Sequence, residues 1–310
     1  MNITGQSAQP QPADVQRTLG QALRDLGERT RQTEIAFFGG SFTAIDRDYM
    51  CALLSAAQPF LPHFYGIRIS TRPDAIDEEV LALLKDSGVT AIELGAQSMD
   101  NSVLELNKRG HTAEDVRNAS ALIRRCGFSL GLQMMTGLYG ATPQTDRETA
   151  QSIIALQPDT VRIYPTVILR GTELAALYAD GSFCPYTLED SVALCADLIL
   201  LFAKADIPVI RLGLHYSDSL VQNSLGNNYH PAFKELCENK IFDDLFLRQA
   251  RALGQKRLQL IVHPKSLSKL LGQRKRNINR WQELGYEITV RTDERLDKYE
   301  IGVWYATEIS

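Results

Sequence analysis

The sequence predicts an α/β fold in which apolar strands alternate with helices around a parallel sheet or barrel. Strand-like apolar runs occur at 34–38, 66–70, 91–95, 129–135, 159–163 and 207–212. Acidic residues begin the helical stretches PDAIDEEV and HTAEDV, and glycine ends LLKDSG and IRRCG. Repeated strand–helix–strand order favours a parallel sheet, since parallel neighbours need a crossover helix between them. We therefore expect ligands at the carboxyl ends of the strands.

The remaining elements follow in chain order. Helices are predicted at 13–31, 47–57, 76–86, 112–125, 143–155 and 187–204. HPAFKELCENKIFDDLF then predicts a connecting helix, KRLQLIVHP a strand, KSLSKLLGQRKRNINRWQELG two helices, and YEITVRTDE and YEIGVWY two strands. The predicted division is a barrel-like part over 1–215, a helical connector over 216–250 and a small basic α+β module over 251–310.

Composition and cysteine positions indicate a cytoplasmic protein with free thiols. Hydrophobic residues make up 44% of the 310 residues, yet no apolar run is long enough for a membrane helix. The first residues, MNITGQSAQPQPADVQ, are polar and lack the apolar core of a signal peptide. The five cysteines, at 51, 126, 184, 195 and 237, have no CxxC-type metal spacing.

Charge is distributed unevenly along the chain. The net charge is −4, but Leu245 to Gln282 holds ten Lys and Arg and no acid. The rest of the chain therefore has 37 acidic against 23 basic residues. An acidic body followed by a basic segment indicates two functional regions.

Polar residues follow several predicted strands, which favours a binding mouth at one rim over isolated structural roles. Gly39 and Gly40 end the first run in EIAFFGGSFTAI, where a tight turn and close approach of a ligand are equally good explanations. The other rim candidates are Ser70, Thr71, Arg72, Glu93, Gln97, Ser98, Gln133, Arg162, Tyr164, Arg170 and Thr172.

Five motifs in order, FFGGSFT, STRPD, IELGAQSMD, NKRGHTAEDV and RIYPTVILRGTEL, resemble the radical S-adenosylmethionine superfamily. The resemblance is strongest to the branch of the Elongator catalytic subunit and oxygen-independent coproporphyrinogen oxidase-like proteins, and covers residues 1–215. It implies a partial (β/α) TIM-like barrel, S-adenosylmethionine and a [4Fe–4S] cluster. It also implies reductive cleavage of that cofactor to a 5′-deoxyadenosyl radical.

The resemblance also implies roles for individual residues. The backbone at Gly39 and Gly40 would hold the methionine amino group, with Ser41 beside it. Gln97 and Arg109 would contact the ribose or the methionine carboxylate. Ser70 and Gln133 stand where relatives often have Glu and Asp, which weakens the ribose contacts, and Tyr164 would lie near the adenine.

The family's CxxxCxxC cluster loop is absent from this sequence. Relatives have a stretch like NITGQ soon after the third cysteine, so we expect a cluster loop and first barrel strand upstream of Met1. The run at 34–38 would otherwise become an exposed apolar edge. We expect structural roles for all five cysteines, and no stoichiometric cluster or cofactor cleavage by the 310-residue chain itself.

The basic segment SKLLGQRKRNI resembles the KH motif, whose GxxG loop clamps a nucleic-acid backbone. Lys275 replaces the last glycine, but Arg274, Lys275 and Arg276 could meet phosphates. A solvated helix start explains this segment equally well. Two functions follow as alternatives: a radical enzyme that acts on RNA, or a non-catalytic RNA-binding relative that retains the barrel. Protein partners and the substrate are not predicted.

Overall fold

A computed structural model describes residues 9–305 of the chain. The strands are β1 Glu34–Phe37, β2 Gly66–Thr71, β3 Val89–Gln97, β4 Ser129–Thr136, β5 Thr160–Pro165, β6 Ile168–Leu169, β7 Val209–Leu212, β8 Ser224–Leu225, β9 Arg257–Val262, β10 Glu287–Thr292 and β11 Ile301–Tyr305. The α-helices are α1 Pro12–Leu26, α2 Arg47–Ala57, α3 Glu78–Asp86, α4 Asn101–Leu106, α5 Ala113–Arg125, α6 Pro143–Ala155, α7 Glu173–Ala179, α8 Leu188–Lys204, α9 Asp218–Asn223, α10 Phe233–Leu253, α11 Leu267–Leu271 and α12 Arg276–Glu283. Within residues 9–305, no helix has both the length and the apolar character needed to span a membrane.

The main sheet confirms the predicted parallel α/β class. Its strand order is β1-β2-β3-β4-β5-β7, and each of the first four strands pairs in parallel with the next along the chain. Sequential parallel pairing with intervening helices produces the half-barrel of a partial TIM-like fold. All these strands therefore end at one rim, where the polar residues of the sequence were expected to gather.

Local capping explains why several helices begin where the sequence predicts. Asp46 accepts a hydrogen bond from the Tyr49 amide at 2.9 Å and so begins α2, and Thr142 forms a capping box at the start of α6. The prediction of a first helix over 13–31 was too long. Gly27 has a φ of 54°, and the chain tightens there into a 3₁₀ turn that ends at Gln32.

The chain divides into two compact units. The first runs up to Pro185 and adds Phe202–Arg211 and Tyr216–Leu225, so it holds most of the half-barrel. The second comprises Tyr186–Leu201, Leu212–His215 and the chain from Gly226 onward. The boundaries at 215 and 250 stay a prediction, as does the likeness to a KH module.

The second unit contains every element predicted for the basic segment. β9 is the central strand of a three-stranded sheet, with β10 parallel on one side and β11 antiparallel on the other. One face of this sheet packs on α10, α11 and α12 through a core that includes Phe246, Leu260, Leu270 and Trp281. Helices α10, α11 and α12 share this core on one face of the sheet, and more exposed residues of the strands alternate with it.

Candidate functional site

The inner face of the half-barrel carries charged residues in place of an apolar core. Glu93 on β3 is 2% exposed, and its Oε2 lies 2.5 Å from Nε of Arg162 on β5. Its other oxygen lies 3.4 Å from Nη1 of Arg68 on β2, and Arg68 in turn pairs with Glu34 on β1 at 2.7 Å. These four residues form the inner charge ladder. They are paired with one another, so the ladder is neutral as a whole.

A glycine allows this ladder to cross a strand. β4 lies between β3 and β5, and Gly131 stands in register with Glu93 on one side and Thr160 on the other. A Cβ at Gly131 would lie 2.7 Å from Glu93 Cγ, so a larger residue there would displace the carboxylate. Burial lowers the pKa of Arg162, but the hydrogen bond and charge of Glu93 outweigh it and raise that pKa above its usual value. The Arg162 guanidinium also lies 4.9 Å from the centroid of the exposed Phe38 ring.

Gly39 and Gly40 follow β1 at the rim, as the sequence indicates, and the structure assigns them different roles. Gly39 has a φ of 116°, a backbone conformation that other residues rarely adopt. Apart from its two chain neighbours, no atom of residues 9–305 lies within 4 Å of a Cβ built at Gly40, so open space lies in front of this backbone. Ser70 Oγ, at the end of β2, donates to the Gly40 carbonyl oxygen at 3.2 Å. Ser41 begins the following 3₁₀ turn, where its carbonyl accepts from the Ala44 amide at 3.0 Å.

Two of the predicted residues meet where β3 and β4 end. Gln133 Nε2 donates to Gln97 Oε1 at 3.2 Å. Gln97 has a φ of 64° at an irregularity in the β3–β4 register, between Gly95 and Gln97. A left-handed conformation in a residue other than glycine costs free energy and is common at functional sites. Tyr164 on β5 stands in register with Met135 on β4. It is half-buried and lies on the same face of β5 as Arg162.

Arg109 reaches this rim from the loop after α4. Asn107 anchors that loop, since its side chain donates to the Tyr139 carbonyl at 2.8 Å and accepts from the Tyr139 amide at 3.3 Å. Arg109 Nη2 points at Met135 Sδ, 2.8 Å away, and sulfur is a weak acceptor. Arg109 Nε is buried, and no acceptor for it exists among residues 9–305. Burial lowers the pKa of Arg109, which nevertheless stays charged at neutral pH.

Several rim candidates of the sequence have structural partners instead. Ser98 is buried, lies 3.3 Å from Thr149 Oγ1 and accepts from the Asp100 amide at 3.1 Å. Thr172 caps α7 by accepting from the Ala175 amide at 3.2 Å, and Glu93 belongs to the inner charge ladder. The ladder was not predicted as a unit. Its signal was a single charged residue in the apolar strands EIAF, GIRIST, VTAIELGAQ and TVRIYP.

The site fits S-adenosylmethionine but supplies no cluster ligands. Open space before Gly40 and the unpartnered Nε of Arg109 suit a ligand with an amino group and a carboxylate. A [4Fe–4S] cluster needs thiolates that converge, and residues 9–305, which contain all five cysteines, bring no three metal-ligating side chains together. Cys195 and Cys237 are buried in the second unit, where burial raises the pKa of the Cys237 thiol.

The second unit presents Arg274 and Lys275 in the loop between α11 and α12 and Arg276 at the first position of α12, and all three are exposed. Arg274 and Lys275 have φ values of 49° and 60°, so two successive residues other than glycine are left-handed. Lys275 occupies the position of the last glycine in the KH motif. Its backbone has the left-handed conformation that glycine adopts most easily. The loop also lines a shallow cavity of about 570 Å³, on whose wall Gln273 donates to Glu235 at 3.0 Å.

Two family profiles match successive segments of the chain between residues 6 and 242. The profile of the Radical SAM superfamily matches residues 6–153, and that of the Radical_SAM C-terminal domain matches residues 158–242. The tRNA uridine(34) acetyltransferase of Methanocaldococcus jannaschii is 29% identical over 208 residues, which is 60% of this chain and 38% of that protein. Elongator complex protein 3 of Homo sapiens is 30% identical over 201 residues, which is 58% of this chain and 37% of that protein.

A solved structure gives the same result at the level of the fold. The archaeal Methanocaldococcus infernus Elp3 with an N-terminal deletion superposes with a TM-score of 0.60 at 25% identity, over 78% of this chain and 59% of that one. By contrast, this chain spans well under half the length of the tRNA uridine(34) acetyltransferase and of the Elongator complex protein 3 described above. The resemblance to the Elongator catalytic subunit is confirmed. With two family profiles that together match about three quarters of its residues, the chain belongs to the radical SAM superfamily.

Proposed function

We propose that the half-barrel binds S-adenosylmethionine at its carboxyl rim and that the chain forms part of a radical enzyme that acts on RNA. The observation that carries the first part is the open space in front of Gly40, at the strand end where the family holds the methionine group. When bound and reductively cleaved, this cofactor supplies radical chemistry. The chain's own residues bind and orient it.

Each rim residue has a definite task in this proposal. The backbone at Gly39 and Gly40 accepts from the amino group, and the guanidinium of Arg109 donates its unpartnered Nε–H to the carboxylate. The amides of Gln97 and Gln133, already bonded to one another, face the ribose hydroxyls. Tyr164 lies near the adenine. The paired inner charge ladder forms a polar wall, which keeps the interior open for a substrate because it cannot pack as an apolar core.

The RNA part of the proposal is supported by the relatives and by the second unit. The proteins similar to this chain include a tRNA uridine(34) acetyltransferase. The stretch Leu245 to Gln282 holds ten basic residues and no acid, and such charge favours phosphate binding. Arg274, Lys275 and Arg276 supply cations on a loop whose backbone is held in a strained conformation. The cytoplasmic location stays a prediction.

A non-catalytic RNA-binding relative is the second candidate function. It is favoured by one observation, namely that the five cysteines of this chain do not converge on a cluster site. In both candidates the half-barrel binds S-adenosylmethionine and the second unit binds RNA. They differ in whether this half-barrel supports cleavage of the cofactor once a cluster is available.

The two candidates are separated by supplying a cluster. The chain is expressed alone and with a CxxxCxxC segment of a relative fused before Met1, and both proteins are reconstituted anaerobically with iron and sulfide. We expect no stoichiometric cluster absorbance from the chain alone. If the half-barrel is catalytic, the fusion produces 5′-deoxyadenosine after reduction, and Arg109→Met in the fusion lowers that yield by at least tenfold. A fusion that holds its cluster and binds RNA but yields no product supports the non-catalytic relative. Cluster formation by the chain alone would contradict the reasoning from its cysteines.

A further inference from the structure

The three-stranded sheet of the second unit has an open face that carries an exposed tryptophan. Trp304 on β11 is 50% exposed, whereas the other tryptophan, Trp281, is fully buried in the core of the same unit. Helices α10, α11 and α12 pack on the opposite face of the sheet. Within residues 9–305, no other aromatic ring or cation stacks on the Trp304 indole.

The indole lies along the sheet because the preceding outward residue is a glycine. A Cβ built at Gly302 would lie 1.9 and 2.1 Å from two carbons of the six-membered ring of Trp304. The outer edge of the six-membered ring therefore occupies the space that a side chain at position 302 would fill, and half of the Trp304 surface remains exposed. An indole held in this way loses little further rotamer freedom when a planar group stacks on it.

The neighbours of the indole on this face suit a nucleobase rather than a protein core. Gln259 is in register with Trp304 and with Thr289, and Ile261 is in register with Gly302 and with Arg291. This row offers amide and hydroxyl groups for base edges and an apolar side chain beside the ring. We name Trp304, Gln259, Ile261, Thr289 and Arg291 the sheet platform.

The charge of the face fits a polyanion. Arg291 is exposed at its edge, and Arg257 is exposed on the same strand as Gln259. Glu287 is the acid on this face, and its Oε2 lies 2.8 Å from Arg257 Nε, so these two charges balance each other and the net positive charge of the face comes from Arg291. Single-stranded nucleic acids bind where aromatic rings stack with bases and nearby cations meet the phosphates.

We propose that the sheet platform binds single-stranded RNA by stacking a base on Trp304. This inference rests on the proposed RNA function and adds a second surface to it, separate from the loop of Arg274, Lys275 and Arg276. The loop binds phosphates and is sensitive to salt, whereas the platform binds bases. The two surfaces therefore predict different responses to changes in the RNA.

The test uses the full chain, a uridine-rich single-stranded RNA and an abasic oligonucleotide of equal length and charge. Because Trp281 is buried, the RNA should quench the fluorescence of Trp304, and the abasic oligonucleotide should not. By anisotropy of a labelled RNA, Trp304→Ala should weaken binding by about tenfold, and Trp304→Phe should stay within about threefold of the wild type. Changing Arg274, Lys275 and Arg276 to Glu should weaken binding at low salt while the quenching persists at saturation.

Each outcome decides the proposal. Equal binding of both oligonucleotides, or unchanged affinity of Trp304→Ala, would overturn the platform but leave phosphate binding by the loop intact. No RNA binding by the wild type would overturn both. If sedimentation shows a self-associated wild type that Trp304→Ala converts to monomer, with no effect on RNA affinity, the face is a protein contact and the platform is wrong.

Discussion

Gln133 donates a hydrogen bond from Nε2 to Gln97 Oε1 at 3.2 Å, and this contact joins the last residue of β3 to the neighbouring parallel strand β4. Gln97 makes it from a left-handed backbone with a φ of 64°. Gly95 provides the room, since a Cβ there would lie 2.6 Å from Gln97 Nε2. The pair is thus maintained at some conformational cost, which is the pattern expected where side chains are kept for binding.

The strain at Gln97 gives a test that separates stability from binding. Gln97→Gly relieves the left-handed backbone, so the free energy of unfolding should stay within about 1 kcal/mol of the wild type. Gln97→Ala keeps the strain and loses the hydrogen bond, and should lower that free energy by about 1 kcal/mol. Both variants should weaken S-adenosylmethionine binding, measured by calorimetry. Wild-type affinity in both would remove Gln97 from the site.

The inner charge ladder depends on Gly131. Gly131→Ala places a Cβ 2.7 Å from Glu93 Cγ and should disturb the pair of Glu93 with Arg162. We expect the free energy of unfolding, from urea denaturation, to fall by about 1–3 kcal/mol. Gly20→Ala is a matched control in helix α1, where the new Cβ would only meet Arg24 at 3.8 Å, and should stabilise by about 0.5–1 kcal/mol. A neutral Gly131→Ala would mean that the ladder can shift at no cost.

The left-handed Lys275 combines a backbone role with a charge, and two variants separate them. Lys275→Gly suits a φ of 60°, so the free energy of unfolding should be unchanged or rise by up to about 1 kcal/mol. Lys275→Gln keeps the strain and loses only the charge. Both should reduce the slope of log affinity for RNA against log salt by about 1. An unchanged slope in both would exclude Lys275 from phosphate contact.

Glu235 places a carboxylate on the wall of the cavity beside that loop. A phosphate bound there would be repelled by this charge, since like charges oppose binding. Glu235→Gln keeps a group that can accept from Gln273, and we expect RNA affinity at low salt to rise by about two- to fivefold, or about 0.4–1 kcal/mol. Unchanged affinity would place the RNA away from this cavity.

The regular part of the fold could be predicted because periodicity and capping agree. The runs at 34–38 and 66–70 differ from β1 and β2 by one residue at the carboxyl end, and α2 and α6 match the predicted 47–57 and 143–155. Helix α4 was missed because it is one and a half turns long, and its signal was Asp100, which accepts from the Ser102 and Val103 amides.

The site was less predictable than the fold, because its contacts cross between strands. GGS and IELGAQSMD identify Gly40 and Gln97, but the sequence alone does not reveal that Ser70 bonds the Gly40 carbonyl. The same is true of Glu93, which reaches Arg162 only because Gly131 lies between them. Such pairs depend on register, which parallel strands acquire from the whole sheet and not from a local turn.

Titration of S-adenosylmethionine into the full chain and into Gly40→Val, by calorimetry, tests the central claim most directly. Beyond its chain neighbours, a Cβ at Gly40 meets no atom of the described residues within 4 Å, so the free energy of unfolding of the variant should lie within about 0.5 kcal/mol of that of the wild type. Gly39→Val is the contrasting control, because its φ of 116° should make it clearly less stable. We predict one bound cofactor per wild-type chain and at least a tenfold loss of affinity in a well-folded Gly40→Val. Equal affinity in the wild type and Gly40→Val would contradict a cofactor site at this strand end.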